Sequence, residues 1–154
     1  MANIYHQVLI QADPATVFDA VTTQQGLSGW WIADCSVKPE IGYVNEFQVE
    51  GHGTNKMKVL DLQPHTLVEW ECLNENDPWT GTRLTFQLSR KGDFTCLDFR
   101  HTGYEAEDEV YATCNFHWAR HLIMLKALCE TGIGQLDQEQ ERGEVKAVHE
   151  GKAS

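Results

Sequence analysis

The sequence predicts an α+β fold in which an antiparallel β-sheet wraps around one long C-terminal α-helix, with two short helices after the first strand. Two patterns predict it. Between residues 35 and 102, apolar and polar side chains alternate in consecutive segments separated by short turns, as in antiparallel strands. Over residues 107–131 the apolar period changes to that of a helix. A long helix with a wide apolar face is expected to lie across a sheet that has one apolar face.

The first elements are a strand over residues 4–10 and a helix with clear start signals. Asp13 is a favoured N-cap residue, and Pro14 suits the first helical position because its missing N–H costs nothing there. The apolar face of this helix is formed by Val17, Phe18 and Val21. Trp30 and Trp31 are assigned to a second short helix, whose rings also need a surface to cover.

Five further strands are predicted over residues 42–50, 54–62, 66–73, 81–90 and 93–102. One face of each strand is apolar, and the other carries charges whose sign alternates from strand to strand for most of the series. The charged positions are Glu46 and Glu50, Lys56 and Lys58, Glu69 and Glu71, Arg83, and Asp98 and Arg100. Opposite charges attract across neighbouring strands. We therefore interpret the charged face as the solvent-exposed surface and the apolar face as the interior.

The long helix carries an apolar stripe of about six turns. Its members are Val110, Cys114, His117, Trp118, His121, Leu122, Leu125 and Leu128. Acidic residues at the N-terminal end favour the helix dipole, and Gly132 is a typical terminator. Residues 1–134 are therefore predicted to form a single domain, and residues 135–154 a polar C-terminal tail.

Composition excludes several classes of protein. A formal net charge of −11 over 154 residues argues against a nucleic-acid partner, because phosphates demand basic patches. No apolar run approaches the roughly 20 residues of a membrane span, and the N-terminus lacks signal-peptide features. A cytoplasmic location is therefore expected. The five cysteines are odd in number and scattered, which favours reduced, mostly buried thiols over a redox or metal role.

Three segments together resemble a known architecture. They are residues 12–20 with Trp30 and Trp31; residues 67–70; and residues 101–104 followed by Trp118, Leu122, Leu125 and residues 130–132. In order and spacing they resemble the helix-grip fold of the START-like, birch-pollen-allergen-like superfamily (SRPBCC) over residues 3–134. The chain is most similar to the family of homologues of the activator of the 90-kDa heat-shock-protein ATPase. The resemblance implies a cavity between sheet and long helix, used across the superfamily for lipids, polyketides and other apolar ligands. It does not imply a reaction.

Inward-facing side chains are the candidates for lining such a cavity. The candidate ligand-binding residues are Trp30, Phe47, Met57, Trp70, Phe86, Phe99, His101, His117 and His121. His117 and His121 are four residues apart on the helix, a spacing that can place two imidazoles on one metal. However, no third ligand stands out, and Trp118 occupies the position where a zinc protease of the His-Glu-x-x-His type needs glutamate. We therefore expect no metal, no cofactor and no catalytic residue.

Two inward polar residues have alternative interpretations. His101 is either a core histidine satisfied by backbone groups, which we favour, or a hydrogen-bond donor to a ligand. Asn45 is the clearest inward polar residue of the central strands, and a buried amide must find partners. It either orients a ligand or binds a water molecule or a backbone group.

Three functions remain open at this stage. The first is non-catalytic binding of a small apolar or aromatic ligand, lipid-like or polyketide-like, between sheet and long helix. The alternative is a protein-interaction module associated with a chaperone, and a homodimer is compatible with the sequence. A cyclase- or hydrolase-type enzyme is less favoured, since no acid–base pair can be assigned. An enclosed ligand pocket would favour the first, and an exposed apolar patch on the helices the second.

Overall fold

A computed structural model describes residues 1–134, which form a seven-stranded sheet and three helices. The predicted tail, residues 135–154, lies outside the described residues. The elements in chain order are β1 (Ala2–Ile10), α1 (Pro14–Thr22), α2 (Gln24–Trp30), β2 (Cys35–Ser36), β3 (Val44–Val49), β4 (Gly53–Gln63), β5 (Leu67–Cys72), β6 (Arg83–Lys91), β7 (Phe94–Tyr104) and α3 (Glu109–Thr131). The predicted α+β architecture is confirmed. The two-residue strand β2 is an addition that the alternation did not reveal.

The sheet is antiparallel throughout, in the order β1-β7-β6-β5-β4-β3-β2. Strands β3 to β7 are therefore neighbours in sequence order, as the alternating charges predicted. Glu46 lies opposite Lys56, and Glu71 lies opposite Lys58 on one side and Arg83 on the other. Both lysines are exposed. The charged face is thus the outer surface, and the apolar face packs on α3.

The two short helices are closely packed and begin in different ways. Asp13 is the N-cap of α1, yet its side chain accepts no capping bond and instead pairs with Arg90 at 3.0 Å. Thr23 caps α2 by accepting a hydrogen bond from the Gly26 N–H at 3.0 Å. A Cβ atom on Gly26 would lie 2.6 Å from the Ala20 Cα, so only glycine allows this approach of α2 to α1.

The long helix α3 has a defined start and end. Asp108 accepts a hydrogen bond from the Tyr111 N–H at 3.0 Å, which satisfies one of the free donors of the first turn. Gly132 ends the helix in the left-handed region, with φ of 79°. Within residues 1–134, no helix is both long enough and apolar enough to cross a membrane.

Side chains of α3 also contact the backbone of β1, which is the outermost strand on its side of the sheet. The Tyr111 hydroxyl donates to the Asn3 carbonyl at 2.9 Å, and the Lys126 ammonium donates to the Leu9 carbonyl at 2.7 Å. The Glu130 carboxylate accepts from the Gln11 N–H at 2.8 Å. One of these contacts lies near the start of α3 and two lie near its end, so together they fix the helix over β1 and set the gap in which the core lies.

Candidate ligand-binding site

Trp31 is at the centre of an aromatic layer between the sheet and α3. Its ring centroid lies 4.5 Å from that of Phe47 on β3 and 5.1 Å from that of Trp118 on α3. It also stacks on Trp70 of β5 at 6.2 Å and on Trp79 of the β5–β6 loop at 6.5 Å. All five side chains are buried. Trp31, the C-cap residue that directly follows α2, therefore lies where the sheet, the loop and the long helix meet.

The nine predicted site residues all face this interior. All are buried: Trp30, Phe47, Met57, Trp70, Phe86, Phe99, His101, His117 and His121. Ring contacts run from Phe47 through Trp70 and Phe86 to Phe99, with successive centroids 5.9, 5.3 and 5.2 Å apart. Phe99 then contacts Trp118 at 4.5 Å. The aromatic rings of Phe47, Trp70, Phe86 and Phe99 thus form one connected layer. Contact of the nine residues with a ligand stays a prediction.

His101 is the centre of a buried hydrogen-bond network. Its Nδ1 atom accepts a hydrogen bond from the Trp118 indole at 3.1 Å, so we assign the ring proton to Nε2. Nε2 then donates to the Thr82 hydroxyl at 2.8 Å, and this hydroxyl donates to the Trp79 carbonyl at 2.7 Å. The Tyr104 hydroxyl lies 3.1 Å from Nδ1. The partners on the imidazole are side chains, and not the backbone groups expected from the sequence.

Burial determines the protonation of this network. Removal from water lowers the pKa of His101 from 6.5 to about 3, because the charged imidazolium loses its hydration. Burial likewise raises the pKa of the Tyr104 hydroxyl far above its ordinary value. Both groups are neutral at physiological pH. The network links α3, β7 and the β5–β6 loop. This arrangement suits a structural role, in which the network holds these three elements together, more than the transfer of a proton.

Both helix histidines, His117 and His121, are buried. The His121 Nδ1 atom lies 3.4 Å from the Trp30 carbonyl oxygen, and its ring contacts Trp118 edge-on at 6.5 Å. The His117 ring contacts Phe116 at 5.9 Å. Among residues 1–134, no group of three or more His, Cys, Asp and Glu side chains is arranged to hold a metal ion.

Asn45 is also buried, and its partner is a backbone group. Its side-chain oxygen accepts a hydrogen bond from the Lys38 N–H at 3.1 Å. This contact ties the segment after β2 to the start of β3. Of the alternatives drawn from the sequence, the structure supports the backbone partner.

A pocket of about 310 Å³ opens at one end of the aromatic layer. Three segments surround it: the β3–β4 turn with the start of β4, the β5–β6 loop, and the first turns of α3. The lining residues are His52, Asn55, Asp77, Pro78, Trp79, Glu109, Val110, Thr113 and Cys114. Apolar surface predominates in the lining. Because Trp79 also belongs to the aromatic layer, this residue joins the pocket to the core.

The loop that carries Trp79 is held in place by its own polar residues. The Asp77 carboxylate accepts a hydrogen bond from the Trp79 N–H at 2.8 Å, and the Thr80 hydroxyl accepts one from the Asp77 N–H at 3.1 Å. Gly81 then turns the chain with φ of 76° into β6. Sequence reasoning missed Trp79 because it stands alone in an irregular linker. The turn-forming Asp-Pro before it was the available signal.

A family model for Activator of Hsp90 ATPase homolog 1-like protein matches residues 11–130. The chain belongs to this family. The match covers α1 through nearly all of α3, and therefore the aromatic layer and all nine predicted residues. None of the curated proteins matches the chain. The family predicted from the sequence motifs is thus confirmed.

Solved structures place this family member among helix-grip proteins. The Aha1 dimer from Colwellia psychrerythraea is 35% identical, with a TM-score of 0.79 over 86% of this chain and 98% of that chain. Protein MLL2253 from Mesorhizobium loti is 18% identical, with a TM-score of 0.73 over 82% and 96% of the two chains. CalU16 from Micromonospora echinospora is 21% identical, with a TM-score of 0.65 over 95% and 86%. The latter two similarities concern the fold alone.

The thiols of this family member are free, and burial makes several of them less reactive. Burial raises the pKa of Cys35 and of Cys72 to about 11 each, and that of Cys129 to about 12. A thiol with so high a pKa carries almost no thiolate at neutral pH, and the thiolate is the nucleophile. These three cysteines therefore serve as small apolar side chains.

Proposed function

We propose that this protein binds a small apolar or aromatic molecule, without catalysing a reaction, in the pocket at the N-terminal end of α3. The observation that carries the proposal is the pocket itself, whose volume of about 310 Å³ is at the lower end of the range of ligand sites, roughly 300–1,000 Å³. Its Trp79, Pro78 and Val110 walls offer apolar contact. Membership of the family is consistent with ligand binding.

Charge at the pocket narrows the class of ligand. Asp77 and Glu109 are two of its lining residues, and His52 is the one basic side chain among those that line it. Carboxylates beside an apolar wall disfavour an anionic ligand such as a fatty acid, through like-charge repulsion. A neutral or cationic ring compound is therefore favoured over a lipid carboxylate.

The test is binding of N-phenyl-1-naphthylamine, an uncharged ring compound that fluoresces in apolar sites. We expect saturable binding by the wild-type chain and at least about tenfold weaker binding by Val110→Glu, which places a charge in the pocket. The matched control is Ile41→Glu, an exposed isoleucine between β2 and β3. Equal binding by wild type and Val110→Glu would reject this pocket as the site.

Native mass spectrometry of freshly purified protein provides an independent measurement. An apolar molecule that co-purifies with the wild-type chain and is lost in Val110→Glu would support the proposal. A chain that carries no molecule and also fails to bind the naphthylamine would contradict it.

A second candidate function is a protein-interaction module associated with a chaperone, in line with the family description. The observation that favours it is the exposure of two large apolar residues on α3, Phe116 and Ile123. The test is the ATPase rate of a purified 90-kDa heat-shock chaperone with and without this protein.

We also propose that the chain forms a homodimer, because the 35%-identical Aha1 is a dimer.

A further inference from the structure

The outer face of α3 carries two large apolar side chains on one side of the helix. Phe116 and Ile123 are each 64% exposed. They are seven residues apart, which is close to two helical turns, so both point away from the sheet in nearly the same direction. Single exposed apolar residues are ordinary, whereas two large ones on the same face of one helix add to a shared apolar surface. Ala119 lies between them and is half-buried.

The charge of this helix differs from that of the rest of the chain. Residues 110–129 contain no aspartate and no glutamate, although the whole chain has a formal net charge of −11. Arg120 and Lys126 are the formally charged residues in this stretch. Two copies of so acidic a protein repel each other over most of their surfaces. The middle of this helix therefore adds no carboxylate to the repulsion between two acidic copies, although Arg120 contributes one like charge from each copy.

We propose that a second copy of this chain docks on this face, with the two α3 helices antiparallel and a two-fold axis between Ala119 and Arg120. Phe116 and Ile123 are equidistant from that axis in sequence, so Phe116 of each protomer packs on Ile123 of the other. This is the self-complementary pairing that a two-fold interface requires. The inference rests on the proposed homodimer and adds the surface that forms it.

The geometry of helix packing keeps this interface small. Helices that pack by their four-residue ridges cross at about −50°, so contact is confined to the middle turns and the ends diverge. If the two antiparallel helices ran side by side along their whole length, Glu109 of one protomer would lie beside Glu130 of the other. The crossing angle moves these two carboxylates apart. Stable interfaces bury about 1,200–2,000 Å² in total. One crossing of two helices falls short of that range, so the dimer is expected to be weak and reversible.

The experiment is sedimentation velocity of the full chain over a hundredfold range of protein concentration. We expect the average mass of wild type to rise from one chain towards two. Phe116→Glu and Ile123→Glu should each raise the dimer dissociation constant at least about tenfold. Ile41→Glu is the control, since Ile41 is also 64% exposed and the substitution adds the same charge. Far-UV circular dichroism confirms that each variant is folded.

Each outcome bears on a different statement. A dimer that survives both α3 substitutions, or that Ile41→Glu also dissociates, overturns the docking surface while the proposed homodimer stands. A chain that stays monomeric at every concentration overturns both. Salt adds a further readout: screening reduces the repulsion between like-charged copies, so added salt should strengthen this dimer. Association that weakens as salt rises would mean attraction between opposite charges, which contradicts the proposed contact.

Discussion

The buried imidazole of His101 should make the stability of this protein fall steeply below neutral pH. In the unfolded chain His101 takes up a proton near pH 6.5, whereas burial lowers its pKa in the folded state to about 3. Between these values the unfolded state binds more protons, so acidification favours unfolding. The contribution is fully present above pH 6.5 and is lost progressively as pH falls towards 3.

The size of this loss follows from the difference between the two pKa values. Each pH unit between them costs about 1.4 kcal/mol of unfolding free energy, so acidification from pH 7 to pH 4 removes about 3 kcal/mol through this one residue. His101→Gln supplies the comparison, because an amide can accept from Trp118 and does not titrate. The many carboxylates of the chain titrate in both proteins and cancel in the difference.

The assay is urea unfolding of wild type and His101→Gln at pH values from 4 to 8. The variant should be less stable at pH 7, and the wild type should lose about 3 kcal/mol more than the variant between pH 7 and pH 4. Nuclear magnetic resonance of the ring nitrogens should show His101 still neutral at pH 4. Parallel stability profiles for the two proteins, or a ring that protonates near pH 6, would refute the reasoning.

Three further substitutions test the packing. Trp118→Ala removes a buried ring and a donor to the network, and should lower the free energy of unfolding by about 3–5 kcal/mol; a loss below about 1 kcal/mol would mean that the aromatic layer is loosely packed. Lys126→Met removes the donor to the Leu9 carbonyl and should cost about 1 kcal/mol in thermal or urea unfolding, whereas no change would show that water replaces it. Asp13→Ala should lower the free energy of unfolding by less than the usual N-cap value of about 1 kcal/mol, because the Asp13 side chain pairs with exposed Arg90 and makes no capping bond. A loss of about 1 kcal/mol or more would contradict that geometry.

Regular elements could be predicted because their signals are local. The alternating charges gave the order of the central strands, since Glu46 and Lys56 are attracted only when their strands are neighbours. The N-cap rule placed the start of α1 at Asp13, although the capping bond itself did not form. The local preference for aspartate and proline at a helix start sets where α1 begins. The partner of the Asp13 carboxylate depends on Arg90, which is distant in the sequence.

The site was less predictable because its residues are brought together by long-range packing. Trp79 gave no periodic signal, yet it is only 2% exposed and joins the pocket to the core. His117 and His121 are predicted to face the interior, and both are buried, but burial alone does not show whether they contact a ligand. The residues that build the pocket come from a turn, a loop and a helix start, whose mutual positions depend on the whole sheet.

The contacts between α3 and β1 have a consequence for solubility. A terminal strand presents a row of free carbonyl and N–H groups, which can bind a strand from another molecule and begin aggregation. In this protein Lys126, Glu130 and Tyr111 occupy several of those groups from a single helix. When the last turns of α3 detach, the Leu9 carbonyl and the Gln11 N–H become available together. The folded helix therefore also protects the edge strand β1 from pairing with a strand of another molecule. Fraying of the last turns of α3 on heating would expose that edge and favour aggregation.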